Sequence, residues 1–139
     1  MSRVFKQPEI KEFEQVKQLV NDFWLDDTGL QPQQFQVLSD NGKVIAFGRL
    51  REHADATELC TMGVAGEFQK KGFGKEMVNH LLCRAKCDVY LVTVIPDFFK
   101  RLGFDFAEQY PDSIQKKIKM CVTDYHVDEP YFVMKWEKK

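Results

Sequence analysis

Ile10, Phe13, Val16 or Lys17, Val20 and Phe23 or Trp24 recur every three or four positions after Pro8, with Glu and Lys between them. That period predicts an amphipathic helix through about Trp24, and Pro8 suits its opening. Asp26-Asp27-Thr28-Gly29-Leu30-Gln31-Pro32 breaks it as a loop. Short runs follow at Phe35 to Ser39, Val44 to Arg51 and Thr57 to Val64, separated by Asp40-Asn41-Gly42-Lys43 and by His53 to Ala56. Asn-Gly supplies the positive φ values of a tight hairpin, so these runs predict a three-stranded meander. Ser2 to Lys6 reads as a short strand before the first helix. From Lys75 to Lys86 the helical period returns through Met77, Val78, Leu81, Leu82 and Ala85. Val89 to Val94 is a continuous apolar run of the kind buried on both faces of a sheet. Pro96 opens a short helix to Leu102, with Gly103 as its C-terminal cap. Phe104 to Ala107, Asp112 to Met120 and Tyr131 to Trp136 read as strand, helix and strand. The order β-α-β-β-β-α-β-α-β-α-β predicts an α/β (α+β) architecture, a mixed sheet flanked by helices.

Length and charge narrow the function classes. The 139 residues suit one domain over 1–139. Lys plus Arg total 20 against 21 Asp plus Glu, which argues against a nucleic-acid binder working through a broad basic surface. No apolar run reaches the roughly 18 residues of a membrane span, and the N-terminus lacks the apolar core of an export signal. A cytoplasmic protein acting away from membranes is therefore expected. In that setting Cys60, Cys83, Cys87 and Cys121 read as free thiols. His80, Cys83 and Cys87 can share a helical face, but zinc sites normally draw ligands from separate elements, so packing is the favoured account and no metal is expected.

The segment Glu58 to Gly74, ELCTMGVAGEFQKKGFG, joins an apolar strand to the loop Gln69-Lys70-Lys71-Gly72-Phe73-Gly74 and then to a helix. The first N–H groups of a helix lack partners and, with the helix dipole, favour an anion. Gly72 and Gly74 permit close backbone approach, and Lys70, Lys71 and Lys75 add positive charge. A pyrophosphate is a natural occupant. The stretch lacks the G-K-[ST] of a P-loop and, with Met77 in place of a third Gly, the Rossmann fingerprint. On the loop alone, a Gly-containing turn before a surface helix is an equal reading.

The same loop, followed by Phe98-Phe99-Lys100-Arg101-Leu102-Gly103-Phe104, resembles the GNAT superfamily of acyl-CoA-dependent N-acetyltransferases. Gln69 to Gly74 matches the pyrophosphate signature [QR]-x-x-G-x-[GA] of that superfamily, and the resemblance covers Phe35 to Phe104 best. Glu58-Leu59-Cys60, Phe98-Phe99 and Pro111-Asp112-Ser113 further resemble the acetyltransferase domain of bacterial N-acetylglutamate synthases, while the tail after Lys119 departs from it. The resemblance implies a GNAT fold with a mostly antiparallel sheet. It also implies acetyl-CoA as co-substrate and a primary amine acceptor, a small molecule such as an amino acid. A homodimer is compatible with it.

Site roles follow from the resemblance. Glu58 stands 14 positions before Gly72, where histone-acetylating relatives carry a general base. Strand alternation places Glu58, Cys60, Met62 and Val64 on one face, an apolar setting that would raise a carboxylate's pKa. Binding a cation is the competing role for Glu58. Backbone N–H groups around Met62, Gly63 and Val64 are expected to bind the cofactor arm and stabilise the oxyanion, with Gly63 read either as a bulge or as tight packing. Gln69, Lys70, Lys71, Gly72, Phe73, Gly74 and Lys75 are expected to hold the diphosphate. Many relatives place a Tyr acid four residues before the Gly-Phe pair; here it is Phe99, expected to pack against the core and the cofactor. Tyr90, Tyr110 or water is left as proton donor to the thiolate. Arg49 and Arg51 are candidates for an acceptor carboxylate, with a solvated sheet face as the plainer reading. Cys60 as a nucleophile is disfavoured because no His neighbours it in sequence. Acetylation of a protein N-terminus or lysine, and acyl-CoA binding without catalysis, are the alternatives.

Overall fold

A computed structural model describes residues 2–125 and 127–139. Among the described residues, seven strands form one sheet in the order β1-β2-β3-β4-β5-β7-β6. They are β1 (Arg3–Lys6), β2 (Phe35–Asp40), β3 (Lys43–Glu52), β4 (Thr57–Val64), β5 (Val89–Thr93), β6 (Asp105–Phe106) and β7 (Phe132–Trp136). The described residues also form the α-helices α1 (Ile10–Asp22), α2 (Phe73–Arg84), α3 (Pro96–Lys100) and α4 (Asp112–Asp124). The predicted element order holds. β1–β2, β2–β3, β5–β7 and β6–β7 pair antiparallel, while β4 and β5 pair in parallel through Thr57↔Val89 and Glu58↔Tyr90. The chain forms two compact units, Met1–Leu50 with Cys60–Arg84, and Arg51–Leu59 with Ala85–Lys139.

In the first unit, Val16 and Val20 of α1 bury against Phe35, Val37, Val44 and Phe47 of β2 and β3. Each such side chain contributes roughly 1.5–3 kcal/mol on full burial. Two details of α1 depart from its pattern. Ile10 is 84% exposed, and Glu12 is buried in its place. Glu12 closes a capping box, accepting from the Glu9 N–H at 2.9 Å, and pairs with Lys6 Nζ at 3.0 Å. Burial alone would raise the pKa of this carboxyl, but the Glu9 and Lys6 contacts prevail and hold it below its usual value. The helix ends at Asp22, not Trp24. Leu25 N–H donates to Val20 O and Trp24 N–H to Asn21 O, a Schellman motif with Trp24 in the left-handed position (φ 55°) usually given to glycine.

The Asn41-Gly42 hairpin forms as expected, with φ values of 50° and 85°. α2 lies close over Gly48 of β3: a Cβ there would meet Leu81 Cδ1 at 2.8 Å. His80 of α2 stacks on Phe5 at 4.1 Å and hydrogen-bonds Gln36 Oε1 at 2.8 Å. Burial, aided by the Arg84 charge, lowers its pKa from 6.5. The folded state thus favours neutral imidazole, a contribution full above pH 6.5 and lost as pH falls through the lowered value. His80→Gln is expected to flatten the fall in Tm between pH 7 and pH 5. An unchanged slope in thermal melts would reject this assignment.

In the second unit, β5 alternates buried Val89, Leu91 and Thr93 with half-buried Tyr90 and Val92, so the run predicted to bury both faces buries one more fully. α4 extends to Asp124, four residues beyond its predicted end. Phe99 and Phe104 pack edge to face at 5.6 Å. Gly103 turns the chain at φ 99°. No helix among the described residues is long and apolar enough to cross a membrane.

Candidate active site

Glu58 is the second residue of β4 and lies in the second unit. Its side chain is 1% exposed, with Lys117 Nζ of α4 at 2.5 Å from Oε2 and His53 Nε2 at 2.9 Å from Oε1. The expected apolar setting is therefore corrected to one with two cationic or hydrogen-bonding partners. Strand parity reflects β4 alone, whereas Lys117 is 59 positions away and His53 comes from the turn before the strand. Tyr90 lies beside Glu58 in the parallel register and lines an open pocket of about 630 Å³ with Thr57, Cys87, Asp88 and Lys138. Cys87 is hydrogen-bonded to Thr57 Oγ1 at 3.1 Å. Tyr110 is half-buried, its carbonyl accepting from Gln115. Arg51 is half-buried. Phe99 is 5% exposed and wedged between Phe98 and Phe104, so its ring serves the core.

The Gln69–Gly74 loop belongs to the first unit. A 3-10 turn at Gly66–Phe68 precedes it. Gln69 Nε2 donates to Val64 O at 3.0 Å, tying the loop to the end of β4. Lys70 at φ 64° and Gly72 at φ 87° then reverse the backbone twice. α2 starts at Phe73, two residues before its predicted start, because Phe73 itself is buried, set edge-on to Phe68 at 6.1 Å with the Arg3 guanidinium over its ring. The first helical bond runs from Glu76 N–H to Gly72 O at 3.2 Å. The N–H groups of Phe73, Gly74 and Lys75 therefore precede the first intrahelical donor, the Glu76 N–H. Lys70, Lys71 and Lys75 are exposed. Both donors of Gln69 are engaged within the loop, its N–H to Gly66 O at 3.3 Å and its side chain to Val64 O, and the Phe73 ring is buried.

β4 departs from a regular strand at Thr61, whose φ is 49°. The alternation that put Glu58, Cys60, Met62 and Val64 on one face is interrupted there. Gly63 has no positive φ, and a Cβ on it would meet Phe47 Cζ at 2.8 Å and Phe23 Cδ2 at 3.1 Å, so tight packing accounts for it. Arg49 is 0% exposed. Its Nε donates to Thr61 Oγ1 at 3.0 Å, Nη1 to Thr28 O at 2.9 Å and to Gln34 Oε1 at 3.1 Å, and Nη2 to Asp26 O at 3.4 Å. A guanidinium so engaged is not offered to an acceptor carboxylate, and neither is it on a solvated face; both readings are corrected. No local pattern marks this burial, since a charged residue in a strand reads as surface. Among the described residues no group of three His, Cys, Asp or Glu side chains is placed to hold a metal ion.

Residues 3–104 match the model of the acetyltransferase (GNAT) family, and the chain belongs to that family. Its fold is similar to that of N-acetylglutamate synthase from Neisseria gonorrhoeae complexed with coenzyme A and N-acetyl-glutamate, with TM-score 0.77, 13% identity and coverage of 99% of this chain. The chain spans 35% of that synthase chain. Rv2747 from Mycobacterium tuberculosis, in complex with CoA, aligns with TM-score 0.79 at 20% identity over 98% of this chain and 99% of its own. The ribosomal-protein-S18-alanine N-acetyltransferase from Escherichia coli aligns with TM-score 0.63 at 16% identity, over 98% and 94%. At these identities the likeness is one of fold.

Proposed function

We propose that the protein, as a single GNAT domain, transfers an acetyl group from acetyl-CoA to the primary amine of a small molecule, with amino acids as the first acceptor class. The observation that carries this reading is the Gln69–Gly74 loop, whose two positive-φ residues deliver three successive helix-start N–H groups beside exposed lysines. The diphosphate of CoA is the anion assigned to them, with Met62, Gly63 and Val64 along the cofactor arm. CoA-bound and N-acetyl-glutamate-bound neighbours of the same fold support the cofactor and the acceptor class.

The neutral amine forms an N–C bond to the thioester carbonyl carbon, the C–S bond breaks to release CoA thiolate, and the proton that the nitrogen gives up to solvent as the amide forms matches the one that the thiolate takes from water. The amine must first be neutral. A lysine-like amine with pKa ~10.4 is neutral about once in 2,500 at pH 7, a cost of roughly 4.6 kcal/mol. Glu58 is assigned to accept the amine's proton, and His53, its hydrogen-bonded neighbour with 19% side-chain exposure, gives that proton a route to water. A second role for Glu58 has its own observation: the Lys117 ammonium at 2.5 Å makes it an ion-pair anchor for α4. Phe99 in the core, where relatives place an acid, supports the alternative of an acyl-CoA binder without turnover.

A panel of amines with acetyl-CoA, read by free thiol release, tests the proposal. Saturable release with at least one amino acid is expected. Saturation by peptide N-termini alone would move the protein to the protein-acetylating class. Tight CoA binding with no release from any amine would make it a binder.

A further inference from the structure

Thr61 combines two properties that oppose each other. It is β-branched, and it holds a left-handed φ of 49° within an extended strand. A β-branched side chain is strained in that region, and such strain persists only where the surroundings over-determine it. The surroundings here are specific. The Thr61 hydroxyl accepts from Arg49 Nε at 3.0 Å and donates to the Asp26 carbonyl at 2.8 Å. Arg49 is in turn fixed by Thr28 O, Gln34 Oε1 and Asp26 O, and lies over the Phe35 ring at 5.6 Å. The Asp26 carboxylate folds back on the Thr28 N–H at 2.9 Å, which shapes the loop that supplies these carbonyls. The result is a closed set of bonds in the first unit, linking the α1–β2 loop, β3 and one residue of β4.

We infer that Arg49 is a positioning residue: through the Thr61 hydroxyl it locks the β4 backbone in its left-handed step and so sets the direction of the peptide N–H groups at Met62 to Val64. A left-handed residue in a strand turns the following peptide out of the regular alternation. Gly63 does not supply this step, since packing on Phe47 and Phe23 explains it. The inference rests on the functional reading in assigning the cofactor arm and the oxyanion to that backbone. Donors held in place before reaction need no reorganisation as charge develops, so small rotations there matter.

Thr61→Ser, Thr61→Val and Arg49→Lys in the full chain provide the test. Ser keeps both hydroxyl bonds and is expected to behave like the natural protein. Val keeps the branched shape and removes the hydroxyl; its kcat is expected to fall about 10- to 100-fold with CoA affinity within about threefold. Amide exchange at Met62 and Gly63 should speed up in Thr61→Val and Arg49→Lys but not in Thr61→Ser. Should Arg49→Lys fail to fold, the two Thr61 variants carry the comparison. A purely structural role predicts a lower Tm with kcat and local exchange unchanged in Thr61→Val, and that result overturns the inference. If no amine is turned over by the natural protein, the functional reading fails separately, and exchange alone then decides: faster exchange in Thr61→Val upholds the lock, and unchanged exchange removes it.

Discussion

Glu58→Gln is expected to lower kcat at neutral pH by about 10²- to 10⁴-fold, the range a positioned general base supplies. CoA affinity should stay within about twofold, because Glu58 lies at the start of β4 and the diphosphate is assigned to the loop after it. The defect should shrink as pH approaches the acceptor amine's own pKa, since the amine then arrives neutral. Losing the charged hydrogen bonds to Lys117 and His53 should also reduce folding stability by about 1–3 kcal/mol. These effects are separable: urea melts report the second, and initial rates on fully folded protein report the first. Turnover equal to that of the natural protein, with stability reduced, would leave Glu58 as the anchor of α4 and nothing more.

Gly72→Val is expected to weaken CoA binding by about 10- to 100-fold, the largest effect of any single loop change. Gly72 sits at φ 87°, and a Cβ there would meet nothing within 4 Å. The substitution thus brings backbone strain of about 1–2 kcal/mol without a steric clash. Gly42 is a matched control, with φ 85° and equally open space, in the β2–β3 hairpin. Gly42→Val should show a similar loss of Tm while binding CoA like the natural protein. Calorimetric titration of both variants decides. Equal CoA affinity in the two would detach the loop from the cofactor.

Features governed by local preference could be read directly from the chain. Asn41 and Gly42 take the positive φ values that such turn residues favour, and β4 spans Thr57–Val64 as its composition indicates. The loop at Gln69–Gly74 was likewise recognisable, since its glycine spacing and strand–helix context are contiguous. What escaped depends on distant partners. Lys117 meets Glu58 across 59 positions, so an apparently apolar neighbourhood is in fact charged. Arg49 is buried because a loop 15 to 23 residues earlier supplies its acceptors, and no local pattern marks that. Thr61 opposes its own preference, and only the hydrogen bonds around it account for its conformation. Ile10 illustrates the reverse case: it falls on the helical period yet stays in solvent, because Glu12 is drawn inward by Lys6 and the Glu9 N–H.

Titration of ¹⁵N-labelled protein with CoA, beside pantetheine as a ligand lacking the diphosphate, probes the loop most directly. The N–H signals of Gly72, Phe73, Gly74 and Lys75 should shift strongly with CoA and stay in place with pantetheine. Movement of other signals on CoA addition, with these four unmoved, would contradict the assignment of the diphosphate to the start of α2.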